Sequence, residues 1–138
     1  MMSKVAVIYW SGTGNTEAMA KAVLRGAGVG AELFSVSDFD AGKVGGYDAF
    51  ALGCPAMGSE ALEDSEFEPF FEAVKAGLAG KKVALFGSYG WGDGEWMRSW
   101  EDSCAAAGIT LAAESVICND APDDEALEAC RALGAALV

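Results

Sequence analysis

The chain has 138 residues, enough for one domain, and 52% of them are apolar, ample for a packed core. Nine basic residues against 21 acidic ones leave a net charge of −12 with no histidine, which argues against nucleic acid or an anionic membrane surface and makes a basic protein the natural partner. The start, MMSKVAVIYW, lacks the apolar core and cleavage site of a signal peptide, and no segment approaches the roughly 20 apolar residues that span a bilayer, so a cytoplasmic location is expected.

The first predicted strand is KVAVIYW (4–10). The following NTEAMAKAVLRG puts Met19, Ala22, Val23 and Gly26 on one helical face, and glycines 26, 28 and 30 are expected to end that helix. AELFSV (31–36) and DAFALGC (48–54) read as the second and third strands. A helix over EFEPFFEAVKAGLAG carries Phe67, Phe70, Phe71, Val74 and Leu78 on one stripe. KVALFGS (82–88) is the fourth strand, and in the helix GEWMRSWEDSCAAAG the spacing of Trp96 and Trp100 points to packing. ITLAAESVIC (109–118) is taken as the fifth strand, and DDEALEACRALGAALV as the last helix. The strands have the near-continuous hydrophobicity of strands buried on both faces. Alternation with helices therefore predicts an α/β fold, a doubly wound five-stranded parallel sheet with helices on both faces, as a single domain over 1–138. Cys54, Cys104, Cys118 and Cys130 show no CxxC spacing and no histidine to complete a metal set, so reduced core thiols are expected.

In such sheets ligands bind beyond the carboxyl ends of the strands. The first strand ends in YWSGTGNTE (9–17), where Gly12 to Thr16 can offer backbone N–H groups at a helix start and Ser11, Thr13, Asn15 and Thr16 add side-chain donors. Helix capping alone calls for fewer donors, so a phosphate site is predicted. The loop lacks the lysine of a nucleotide-hydrolysing P-loop, and Glu17 stands where a dinucleotide fingerprint needs its third glycine. Glu60 stands where a cysteine-dependent phosphatase loop needs arginine after Cys54, and Trp10 and Ser11 replace the acids of a phosphoacceptor domain. Such a loop is suited to holding a phosphate monoester by neutral dipoles without reacting at it. At the ends of the third and fourth strands, Met57 and Trp91 sit among glycines at 58, 90, 92 and 94, an arrangement able to hold a planar aromatic ligand between a soft side chain and a ring.

At these three loops, YWSGTGNTE, LGCPAMGSEALEDSEFEPF and KKVALFGSYGWGDGEWM, the sequence resembles the flavodoxins, specifically the short-chain type of anaerobic bacteria, and the similarity runs along the whole chain. The resemblance implies non-covalently bound FMN, the strand order 2-1-3-4-5, and low-potential one-electron transfer through the semiquinone and hydroquinone states. It implies no catalytic residue, no metal and no small-molecule substrate. Carried over by position, Ser11, Gly12, Thr13, Gly14, Asn15 and Thr16 form the phosphate loop, with Ser88 also reaching the phosphate. Pro55, Ala56, Met57, Gly58, Ser59 and Glu60 line one face and the edge of the isoalloxazine, Glu60 accepting from the flavin N(3)–H. Tyr89, Gly90, Trp91 and Gly92 line the other face, and Asn119 meets the ribityl chain. A loop without lysine avoids stabilising the reduced, anionic flavin, and the carboxylates Glu60, Glu63, Asp64, Glu66 and Glu68 are placed to steer a basic redox partner toward the flavin edge. A monomer is expected. The rival reading, an FMN-dependent reductase of the same fold, needs a nicotinamide site for which the chain has no second basic pocket.

Overall fold

The computed structural model describes residues 4–57, 62–90 and 94–138, so Gly58, Ser59, Glu60, Trp91 and Gly92 lie outside the described residues. Five strands form one sheet: β1 (Val5–Tyr9), β2 (Ala31–Ser35), β3 (Ala49–Gly53), β4 (Lys82–Tyr89) and β5 (Val116–Asn119). Their order is β2-β1-β3-β4-β5 and every pairing is parallel. From β1 the chain crosses to β2 on one side and later to β3 on the other, so the direction of winding reverses at β1 and a crevice opens between the carboxyl ends of β1 and β3.

Alternation along the strands divides the core into two layers. Val5 and Val7 of β1 face a layer built with α1 (Asn15–Ala27) and α4 (Asp124–Ala135), while Ala6 and Ile8 face α2 (Phe67–Leu78) and α3 (Glu95–Ala106). The layers differ in bulk. Toward α1 and α4 the inner strands offer Val5, Val7, Ala49, Ala51 and Ala84, with Phe86 their one fully buried aromatic side chain; toward α2 and α3 they offer Phe50, Leu52 and Leu85, met by Phe67, Phe71, Trp96 and Trp100. The apolar stripe expected on α2 is buried at all five positions, and Trp96 and Trp100 are core.

Three expectations need correction. Gly26 does not end the first helix, which runs through Ala27 and stops at Gly28 with φ 84°. Gly26 instead permits the close approach of α4: a Cβ there would lie 1.8 Å from the Arg131 carbonyl oxygen, and one on Gly134 would lie 2.1 Å from that of Val23. The fifth strand is not continuous over 109–118. Leu111 bridges Val83 and Val116 pairs with Phe86; between them β4 advances three residues and its partner five, so two extra residues bulge from the ladder. Ser115 Oγ, donating to Glu101 Oε2 on α3 at 2.6 Å, fastens that bulge. Finally, β2 and β5 are edge strands of intermediate and exposed residues rather than strands buried on both faces.

The described cysteines are all free; Cys54, Cys104 and Cys130 are buried, and Cys118 is half-buried. Burial pushes the Cys54 and Cys130 thiols up to about 12 and Cys104 to about 11, and raises Cys118 as well. Among the described residues no helix is long and apolar enough to cross a membrane, and no group of side chains could hold a metal ion.

Candidate functional site

Beyond Tyr9 the chain leaves the sheet, with Trp10 N–H still bonded to the Gly53 carbonyl at 3.0 Å. It turns at Gly14, whose φ of 94° lies in the left-handed region that glycine adopts without cost, and α1 begins at Asn15. Ser11 Oγ accepts from the N–H groups of Gly14 (3.0 Å) and Glu17 (3.3 Å), which closes the loop on itself. Among the described residues nothing accepts from the N–H groups of Gly12, Thr13, Asn15 and Thr16. Thr16 is 1% exposed and its hydroxyl has no hydrogen-bond partner. Buried polar atoms are rarely left unpaired, because desolvating one costs about 1–3 kcal/mol. An anionic oxygen placed at this helix start satisfies both the hydroxyl and the amides.

A cleft of about 340 Å³ opens above this loop. The first strand end supplies Trp10, Gly12, Thr13, Asn15 and Thr16, the third Pro55, Ala56 and Met57, and the fourth Ser88, Tyr89 and Gly90. Segments distant in sequence meet here because β1, β3 and β4 are neighbours in the sheet. Their loops stay joined past the last paired residues through Cys54 N–H to Phe86 O (3.2 Å) and Ala56 N–H to Ser88 O (3.1 Å). No lysine or arginine lines the cleft among the described residues.

The donor set therefore suits a phosphate monoester, the apolar wall suits a flat ring, and the cleft joins the two. The flavodoxin family model matches residues 7–134. The chain belongs to the flavodoxin family. It is 47% identical to a flavodoxin of Megasphaera elsdenii over 135 residues, covering 96% of both chains, and 46% identical to one of Clostridium beijerinckii over 121 residues, covering 86% of this chain and 88% of that one. The solution structure of the two-electron reduced Megasphaera elsdenii flavodoxin superimposes with a TM-score of 0.87 at 48% identity, over 96% of this chain and 97% of that one. As a short-chain flavodoxin, the protein is an FMN-binding electron carrier rather than an enzyme, and it passes electrons to redox partners.

Several expected site residues sit differently from the others. Ser11 and Gly14 shape the flavodoxin loop from behind and do not line the cleft. Ser88 is buried in the cleft wall, but its hydroxyl donates to the Asp120 carbonyl at 2.6 Å, so toward the cleft it offers lone pairs. Asn119 is exposed and outside the cleft, its Nδ2 donating to the Tyr89 carbonyl at 3.2 Å. Glu63, grouped by its sequence with the surface acids, is 5% exposed and caps α2. Its carboxylate accepts from the Ser65 hydroxyl and from the N–H groups of Ser65 (2.9 Å), Glu66 (2.8 Å) and Phe67 (2.9 Å), while its own N–H donates to Cys54 Sγ at 3.4 Å. Burial pushes its pKa up, but the hydrogen bonds from Ser65, Phe67 and Glu66 outweigh burial and hold it at about 2.

Two lining residues were not foreseen, Trp10 and Asp120. Trp10 packs its ring near Gly12, and its Nε1–H donates to Glu66 Oε1 at 3.1 Å, tying the loop between β1 and α1 to the start of α2. By sequence Trp10 reads only as the end of the first strand, and Asp120 carries no expected role.

Proposed function

We propose that FMN sits in this cleft with its phosphate on the loop from Ser11 to Thr16 and its ring against the segments at Pro55–Glu60 and Tyr89–Gly92, in a single domain over 1–138. The observation that carries this reading is the orphaned Thr16 hydroxyl at the start of α1, together with four unengaged amides. When bound, FMN supplies one-electron redox chemistry. The chain's part is to bind, orient and tune. Neutral donors hold the phosphate without placing a cation beside the ring, which leaves reduced, anionic flavin without a stabilising positive charge. Met57, 37% exposed at the rim, offers a soft apolar edge for a docking protein. Asp64, Glu66 and Glu68 are all exposed along the chain's path into α2, which supports a basic face on the partners. The proposed setting is a cytoplasmic monomer.

Titration of the apoprotein with FMN and with riboflavin tests the site. FMN is expected to bind more tightly by at least about a hundredfold, because several charge-assisted bonds to the phosphate contribute roughly 1.5–3 kcal/mol each. Equal affinities would remove the phosphate loop from the reading.

A further inference from the structure

A second groove, of about 310 Å³, runs between α2 and α3. Its floor is aromatic: Phe71 of α2 and Trp96 and Trp100 of α3 border it, each no more than 2% exposed. Its walls are polar. Along α2 stand the exposed Glu68 and Glu72, one turn apart, and along α3 the exposed hydroxyls of Ser99 and Ser103 in the same spacing.

The two indoles on the floor differ. Trp96 Nε1–H donates to the Cys54 carbonyl at 3.1 Å, whereas Trp100 Nε1–H, equally buried, has no acceptor among the described residues. A buried donor left without an acceptor is costly and rare. The rings packed edge-to-face with the Trp100 indole, Phe67 at 5.4 Å and Phe71 at 6.1 Å between centroids, carry no oxygen, so an acceptor has to arrive through the groove. Charge decides what can bring it. Glu72 is paired with Lys75 Nζ at 2.8 Å, but Glu68 has no ion pair among the described residues, and the chain carries −12 overall. An anionic acceptor is therefore repelled. A neutral acceptor tethered to a cation suits both the N–H and the carboxylate, and a peptide carbonyl beside a basic side chain is such a pair. Arginine fits better than lysine, since its planar fork grips one carboxylate with two bonds and its weakly hydrated face lies well against aromatic rings.

We propose that the groove between α2 and α3 is a docking site for an arginine-bearing segment of a redox partner, whose backbone carbonyl accepts from Trp100 Nε1–H and whose guanidinium pairs with Glu68. The chain leaving β3 borders the flavin cleft at Met57 and the groove at Leu62, which brings a segment seated in the groove close to the cleft. The groove stands without FMN; naming its occupant as part of a redox partner rests on the electron-carrier reading above. Steering by the acidic field acts at a distance and is indifferent to the Trp100 indole, whereas seating in the groove depends on it.

The test is an NMR titration of the isotope-labelled protein loaded with oxidised FMN. The probes are acetyl-glycyl-arginyl-glycine amide, the same peptide with norleucine in place of arginine, and methylguanidinium, which has the cation but no carbonyl. The arginine peptide is expected to shift the Trp100 indole N–H resonance to saturation and to bind about fivefold more tightly than either other probe. Trp100→Phe, which keeps an aromatic ring and the net charge, should weaken that peptide about threefold to tenfold, and the surface change Glu68→Gln about twofold to fivefold. Flavin absorbance in the same samples should be alike for all three proteins. A Trp100 resonance that the arginine peptide leaves in place, or an affinity that the norleucine peptide matches, overturns the site. Methylguanidinium binding as tightly as the peptide overturns docking in favour of a free cation. A wild-type protein that takes up the peptide but no FMN overturns the electron-carrier reading, and the redox partner with it.

Discussion

Replacing Thr16 by valine keeps the shape of a buried side chain and removes a hydroxyl that has no partner in the protein. The apoprotein should therefore be as stable as the wild type or up to about 1 kcal/mol more so, since an unpaired buried hydroxyl is a cost. FMN affinity should fall about tenfold while riboflavin affinity stays constant. Denaturant unfolding of the apoprotein and the two titrations check these opposite signs; a destabilised apoprotein would mean that the hydroxyl serves the fold. At this scale the sequence was informative where chemistry is carried by residue type and adjacency, as in the run from Ser11 to Thr16. It was misleading where orientation decides. Asn119 and Asp120 are neighbours of similar shape, and only the positive φ at Asp120 settles which one lines the cleft. Glu63 likewise looks like any acid in an acidic run until the helix start folds around it.

That capping carboxylate couples the start of α2 to acidity. Its pKa of about 2 in the fold lies below the ordinary glutamate value of 4.5, so the folded protein holds this proton less tightly than the unfolded chain. Its stabilisation is complete above about pH 4.5 and is lost as the pH falls toward 2. Glu63→Gln should accordingly be less stable than the wild type at pH 7 by about 1–3 kcal/mol, the usual cost of breaking bonds to a buried charged group, and the gap should close on acidification. Urea unfolding of both apoproteins at neutral and acidic pH measures it; a constant gap would contradict the cap. The elements themselves were legible because each has a strong period, down to the five buried positions of the α2 stripe. Gly26 was misread because a glycine that ends a helix and one that lets another helix touch it look alike in one dimension. The bulge before β5 was hidden because the pairing of Val83 with Leu111 and of Phe86 with Val116 depends on a partner strand distant in the chain.

Over the whole molecule the net charge of −12 acts at longer range than any single contact. Encounter with a basic electron donor or acceptor should be accelerated at low salt and should slow several-fold as ionic strength passes physiological, where the Debye length is about 8 Å. Stopped-flow rates across a salt series give the answer, and a flat profile would leave the acids with no steering role. Fold class and the search at the strand ends followed from the alternation of strands and helices, whereas the strand order came only from the family resemblance of the quoted loops. The bulk asymmetry of the two layers, mostly small apart from Phe86 against α1 and α4 and rich in aromatics against α2 and α3, did not follow from either, since it depends on which residues of each strand share a face.

The distribution of the thiols across those layers has a practical side. Three of the four cysteines are sealed in the core with their pKa values pushed to about 11 or 12, so in the folded state they have neither access nor thiolate to meet an alkylating reagent or another chain. Cys118, half-buried beside the Ser88–Asp120 corner, is the thiol left within reach. Mass spectrometry after brief exposure to a maleimide at neutral pH should find one adduct on the native protein and four in denaturant. A dye attached there would report on the cleft from its edge, with no cysteine needing to be engineered in or out.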